Sequence, residues 1–205
     1  KIQKILLFMA NEIKQSFSNE DIFNIFKNNK LLILFLIENG IITFDETINE
    51  KIIKLNQKNC AFFINKNVRK KRNNIPYCYF FMPEIKEHNY DEEQVKKIEN
   101  DISNYVSDSL EEIKIKRRIG ENDSYICSLI RNDSIEEFVS YVNQKNLSLS
   151  SDIPQSIYET NDFLIENHPN LIQYAAFNGS IQIFQYLRFN NVCLTSSLWL
   201  YAIHS

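Results

Sequence analysis

Apolar residues recur at intervals of three and four along most of this chain, and that period, more than strict alternation, sets the expected architecture. Between residues 2 and 17, Ile2, Ile5, Leu6, Met9, Ile13 and Phe17 fall on one stripe with polar residues between them, the pattern of a single amphipathic helix. Ser18-Asn-Glu-Asp21 then has the spacing of a helix start and predicts a second helix through Phe26. The run Leu31 to Ile37, closed by Glu38-Asn39-Gly40, predicts a buried helix stopped at a glycine that adopts positive φ, with a buried strand as the alternative. From Thr43 the motif Thr-Phe-Asp-Glu offers another start, leading into Ile48, Ile52, Ile53 and Leu55.

The aromatic segment Tyr77-Cys-Tyr-Phe-Phe-Met82 ends at Pro83 and suits either an extended piece or the end of a buried helix. Residues 91 to 119 predict one long charged helix with Val95, Ile98, Ile102, Val106, Leu110 and Ile113 on one side and Gly120 as its stop. Beyond Gly120 the pattern changes to short units. Asn170-Leu-Ile-Gln-Tyr-Ala-Ala-Phe-Asn-Gly179 followed by Ser180 to Leu187 reads as two helices joined by a glycine turn. Ile172, Ala175 and Ala176 give the first a small-residue face, and Ile183, Phe184 and Leu187 give the second a stripe that a lone pair could not bury. The same Ser-Ile-x-x-Phe signature follows Asp133 as follows Gly179, 46 residues later. One extra helix is expected within Ile153 to Ile165, between the two units, and Leu198-Trp-Leu-Tyr-Ala202 starts a third. The expected fold class is therefore all-α, with a helical N-terminal region over 1–120 and an irregular solenoid of stacked helix pairs over 121–205.

Composition narrows the classes of function. With 205 residues, 44% of them hydrophobic, the chain can bury a sizeable core. Three glycines and four prolines leave little material for tight hairpins or phosphate-cradling loops. A net charge of -3 provides no general field for nucleic acid, so any basic site must be local. Cys60, Cys78, Cys127 and Cys193 are widely scattered, which fits a reducing, cytoplasmic or nuclear compartment and no zinc ligand spacing. No apolar run reaches the roughly 20 residues that span a bilayer, so no membrane is expected. The chain opens on Lys1 and stops at Ser205 inside an apolar pattern, so it reads as a piece of a longer protein.

Candidate chemistry is sparse. His88, His168 and His204 are far apart and form no metal-ligating pair, and no phosphate loop, nucleophile elbow or dinucleotide fingerprint occurs. An enzymatic reading would need Cys127 or Cys193 to meet His168 in space, whereas an unpaired cysteine on an apolar face is usually packing. No cofactor and no small-molecule substrate are expected. The cluster Lys66, Arg69, Lys70, Lys71 and Arg72 could neutralise several phosphates or act as a nuclear-import signal, and equally could be a solvated loop. A second basic run, Lys114, Lys116, Arg117 and Arg118, is explained by the helix dipole at a helix C-terminus. Tyr174, Phe177 and Trp199 are candidate binding aromatics, with packing between repeats the expected role for Trp199.

At residues 170 to 192 the chain resembles the ankyrin repeat, with Ile172, Ala175, Ala176, Gly179, Ile183, Phe184 and Leu187 at framework positions. Asn170-Leu-Ile-Gln173 stands in place of Thr-Pro-Leu-His, so the Thr and His hydrogen bonds that order the family's first turn are expected to be absent. The stretches Ile119 to Cys127, Ile157 to Asn161 and Ser197 to His204 resemble a large protist family of divergent ankyrin-repeat proteins that carry a domain of unknown function ahead of the repeats. The resemblance implies a non-catalytic scaffold that binds another protein. It also implies contacts at the end of the first helix, where Gln173, Phe177 and Asn178 are the candidates. The alternative is a nucleic-acid-binding or nuclear-targeted adaptor built on the run at 66–72.

Overall fold

The computed structural model describes residues 2–61, 77–88, 92–103 and 107–204, so the basic run at 66–72 and Val106 lie outside the described residues. All regular elements among the described residues are α-helices, and the only bridge of β type there is an isolated antiparallel one between Asp152 and Asn170. The chain divides into two compact units, residues 1–120 and 121–205.

The first unit begins with α1 (Ile2–Phe8) and α2 (Ala10–Ser16), followed by α3 (Asn19–Phe26), α4 (Lys30–Glu38) and α5 (Glu46–Ala61). The expected single N-terminal helix is thus interrupted at Met9, although backbone bonds from Met9 N–H to Ile5 O and from Ile13 N–H to Met9 O carry the chain through the break. Of its stripe, Leu6 is buried while Ile2, Ile5, Met9 and Phe17 stay exposed. The period placed these side chains on one face, but nothing described covers that face.

α3 starts where the spacing predicts: the Ser18 hydroxyl accepts from Asp21 N–H, and Asp21 accepts from Ser18 N–H. α4 is the buried helix, with Leu32, Ile33, Leu34 and Leu36 all enclosed. It ends at Gly40, whose φ of 63° lets Ile41 N–H reach back to Leu36 O at 2.8 Å. α5 is capped by Asp45, which accepts Ile48 N–H at 2.9 Å, and not by Thr43. The Thr43 backbone is held instead by Asn19, whose amide accepts Thr43 N–H and donates to Thr43 O and Asp45.

The aromatic segment is helical: α6 (Tyr77–Phe80) and α7 (Met82–His88) place Cys78, Tyr79, Phe80, Phe81, Met82 and Ile85 in the core. Pro83 lies in the first turn of α7, where its missing N–H has no intrahelical partner to lose. The long helix expected over 91–119 is two, α8 (Glu92–Ile102) and α9 (Leu110–Ile119). The second starts afresh because Ser109 and Glu112 form a reciprocal capping box, and Gly120 ends it at φ 73°.

The basic run on α9 does more than face a dipole. Arg117 is buried and makes two bonds to the Glu84 carboxylate and one to Phe80 O, while Arg118 pairs with Glu38, Lys116 with Asp108 and Lys114 with Glu111.

The second unit contains α10 (Tyr125–Arg131), α11 (Ile135–Lys145), α12 (Asp162–Asn167), α13 (Leu171–Asn178), α14 (Ile181–Phe189) and α15 (Leu198–Ile203). α10 packs on α11 and α13 packs on α14. The two pairs in turn meet through α10 against α13 and α11 against α14, and α15 lies on α13. Each pair turns through one residue in the left-handed region, Asp133 at φ 49° and Gly179 at φ 66°. Bonds from Ser134 N–H to Leu129 O and from Ser180 N–H to Ala175 O close the two turns alike.

Ile126, Cys127, Leu129, Ile130, Phe138, Val142, Ile172, Tyr174, Ala175, Ile183 and Leu187 share one core across both pairs. This burial is what the stripe on α14 required. Between the pairs, the extra helix is confined to α12. Ile157 and Tyr158 are buried from irregular chain, and the backbone of 151–153 bonds to that of 169–171.

Candidate functional site

α13 holds the three residues singled out for partner contact, and its ends are fixed by local chemistry. At its start the Asn170 side chain accepts Gln173 N–H at 3.0 Å, and the Gln173 side chain accepts Asn170 N–H at 2.9 Å. No Thr or His stands at this turn, and an Asn and Gln pair orders it instead, satisfying the two donors reciprocally. The same Gln173 amide donates to Thr195 and Ser197 hydroxyls at 3.3 and 3.1 Å, tying the cap of α13 to the segment that leads into α15.

Phe177 is half-buried and stacks on Phe163, with centroids 6.3 Å apart and 16° between planes. Phe163 also meets the Tyr201 edge at 5.0 Å and the His204 ring at 4.2 Å, so α12, α13 and α15 share one aromatic cluster. Asn178 is half-buried and donates to Tyr174 O at 2.8 Å. The three candidates are thus brought together on one helix, each with part of its surface open and part engaged within the chain.

Trp199, for which packing between repeats is expected, lies on α15, the last described helix. It is 77% exposed and shares an apolar face of α15 with Leu200 and Ile203, also exposed. The register explains this, because Tyr201 is the residue of α15 that turns inward, toward Phe163. Tyr174 is likewise a core residue, not a binding aromatic. Its hydroxyl accepts from Arg131 at 2.8 Å, and burial pushes its ionisation far above the ordinary tyrosine range. Arg131 also donates to Asn122 O at 2.9 Å and pairs with Glu121 at 2.8 Å, which makes it the polar hub between α10 and α13.

Cys127 is fully buried in the shared core, and burial pushes its thiol up to about 11, so it stays protonated at neutral pH and is a poor nucleophile. Cys193 is an exposed free thiol. The histidines have separate settings: His88 stacks on Phe44, His168 ends α12 at φ 44° and His204 stacks on Phe163. Among the described residues no group of three or more His, Cys, Asp or Glu could hold a metal, and no helix is long and apolar enough to cross a membrane.

Two residues of the second unit organise this region, and only one of them left a trace in the sequence. Arg131 acts across 43 residues to Tyr174, a separation with no local signature. Asp133 had a signal, since it occupies the turn position filled by Gly179 in the second pair. What the region offers chemically is α13, packed against α10 and α15, with half-open amide and aromatic groups beside the exposed apolar side chains of α15. Compared with family models, curated proteins and solved structures, the chain finds no match in any of the three.

Proposed function

We propose that residues 121–205 are a degenerate ankyrin-like solenoid and that the protein works as a non-catalytic scaffold binding another protein, in the cytoplasm or nucleus. The observation that carries this reading is the packing of α13, which has its own second helix α14 on one flank and the first helices α10 and α15 of its neighbours on others. Helix pairs of matching turn geometry that stack first helix on first helix and second on second propagate in one direction and present an extended surface. The reciprocal Asn170 and Gln173 bonds support the likeness further, since they order the first turn at the place where the repeat normally uses Thr and His. Gln173, Phe177 and Asn178 are the proposed contact residues, with association driven by half-open aromatic and amide groups.

The test is affinity capture with the whole chain, followed by binding of each purified captured protein to the chain and to Asn178→Lys. Saturable one-to-one binding that weakens at least tenfold in the variant, with thermal unfolding unchanged, supports the reading. Binding only to RNA or DNA, steeply salt-dependent and lost when Lys66, Arg69, Lys70, Lys71 and Arg72 are changed to Ser, would replace it with the adaptor reading.

A further inference from the structure

The start of α14 lacks the cap its sequence offers. Ser180 stands at the N-cap position, yet its side chain makes no cap bond and its hydroxyl donates instead to Ile130 O, near the end of α10 in the other helix pair. The first N–H groups of α14 still need acceptors. They find them on Asp133, whose two carboxylate oxygens accept Gln182 N–H and Ile183 N–H, each at 3.0 Å.

Asp133 reaches this place because it sits at φ 49°, in the left-handed region that Asp tolerates better than most side chains. Gly179 takes the matching turn of the second pair without a side chain at all. Glycine would therefore hold the first turn with less strain, and what aspartate adds is the carboxylate on the neighbouring helix. A negative charge at that end also interacts favourably with the helix dipole.

We infer that Asp133 and Ser180 form a reciprocal clasp that couples the two helix pairs, so that the α10–α11 pair and the α13–α14 pair open as one unit. Each pair supplies a polar group to a helix end of the other. If either pair opens alone, Gln182 and Ile183 lose their Asp133 acceptor, while Ile130 O loses the Ser180 hydroxyl and keeps only the N–H groups of its own turn. The inference does not rest on the binding reading, since it concerns only how the pairs hold each other. The apolar core shared by the pairs is left intact when the clasp is cut, so the two contributions are separable by substitution.

The experiment is residue-resolved amide hydrogen exchange on the whole chain and on Asp133→Gly, Asp133→Asn and Ser180→Ala. Loss of a helix cap corresponds to a change of roughly 5- to 30-fold in the opening equilibrium. Asp133→Gly is expected to speed exchange of Gln182 and Ile183 by about that factor and to lower protection along α14 below that along α11, whereas the native chain is expected to show one common value for both. Asp133→Asn keeps one acceptor oxygen and the turn preference, so it produces a smaller change of the same pattern and serves in place of the glycine variant if that does not fold. Ser180→Ala is expected to separate the pairs in the same sense. Unchanged exchange at Gln182 and Ile183, or a uniform acceleration of both pairs with no separation between them, overturns the inference.

Discussion

Replacing Glu84 by Met is expected to cost more stability than replacing Arg117 by Met, although the two side chains form one ion pair. The asymmetry follows from exposure. The Arg117 side chain is 2% accessible and that of Glu84 is 13%. Removing Arg117 leaves a carboxylate that can draw some water to itself, whereas removing Glu84 leaves a guanidinium held only by Phe80 O at 3.0 Å, with its Nε already lacking a partner. Breaking a buried pair from one side costs about 3–5 kcal/mol. The accessible carboxylate puts Arg117→Met near the lower end, about 3 kcal/mol, and the enclosed guanidinium puts Glu84→Met near the upper end, about 5 kcal/mol.

The double variant removes both charges and strands only the Phe80 carbonyl, a cost of about 1–3 kcal/mol. It should therefore be more stable than Glu84→Met and no less stable than Arg117→Met. Urea unfolding followed by far-UV circular dichroism measures all three. A costlier Arg117→Met, or a double variant equal to the sum of the singles at about 8 kcal/mol, would refute the reasoning.

Other consequences are open to direct measurement. A thiol reagent at pH 7.5 should modify Cys193 within minutes and Cys78 and Cys127 only as the chain unfolds. Because the Cys127 thiol is raised from an ordinary value near 9 to about 11, its contribution is fully present below about 9 and is lost as pH rises toward 11, so stability should decline over that alkaline window. Asn170→Ala and Gln173→Ala should each lower stability by about 1 kcal/mol by thermal or urea unfolding, the usual effect of losing a helix cap. The Glu112 carboxyl is held below its ordinary value by the Ser109 backbone N–H and then by the Ser109 hydroxyl. Its support of α9 is therefore present above about pH 4.5 and is lost as pH falls through the lowered value, which an NMR titration of Glu112 alongside Ser109 amide exchange would track.

Leu31 to Ile37 and Ser18 to Asp21 were legible because the signals that define them lie within one or two turns: an unbroken apolar run before a glycine, and a hydroxyl three residues ahead of a carboxylate. The 46-residue offset between Asp133 and Gly179 was legible for a similar reason, as both copies of the turn carry the same following residues. The break at Met9 had no Gly or Pro to announce it. The break before α9 did have a marker, Ser109 three residues before Glu112, but the apolar period running from Val95 to Ile113 masked it.

The contacts that join elements left no such trace. Arg117 finds Glu84 33 residues away, Arg131 finds Tyr174 43 away and Asp133 finds Ile183 50 away. At those separations any basic or acidic residue could have been the partner. For the candidate site, the sequence placed Gln173, Phe177 and Asn178 on one helix. It could not convey that Gln173 is already bonded to Asn170, Thr195 and Ser197, because side-chain amides serve caps and surfaces alike.

The most direct test of the scaffold reading is to titrate a captured protein into the isotope-labelled whole chain and follow backbone amide shifts. The account predicts the largest shifts clustered on α13 and its flanking turns, at Gln173, Phe177, Asn178 and Gly179, with the amides of the shared core little changed. Shifts confined to residues 1–120, or none at a partner concentration that saturates binding, would contradict it.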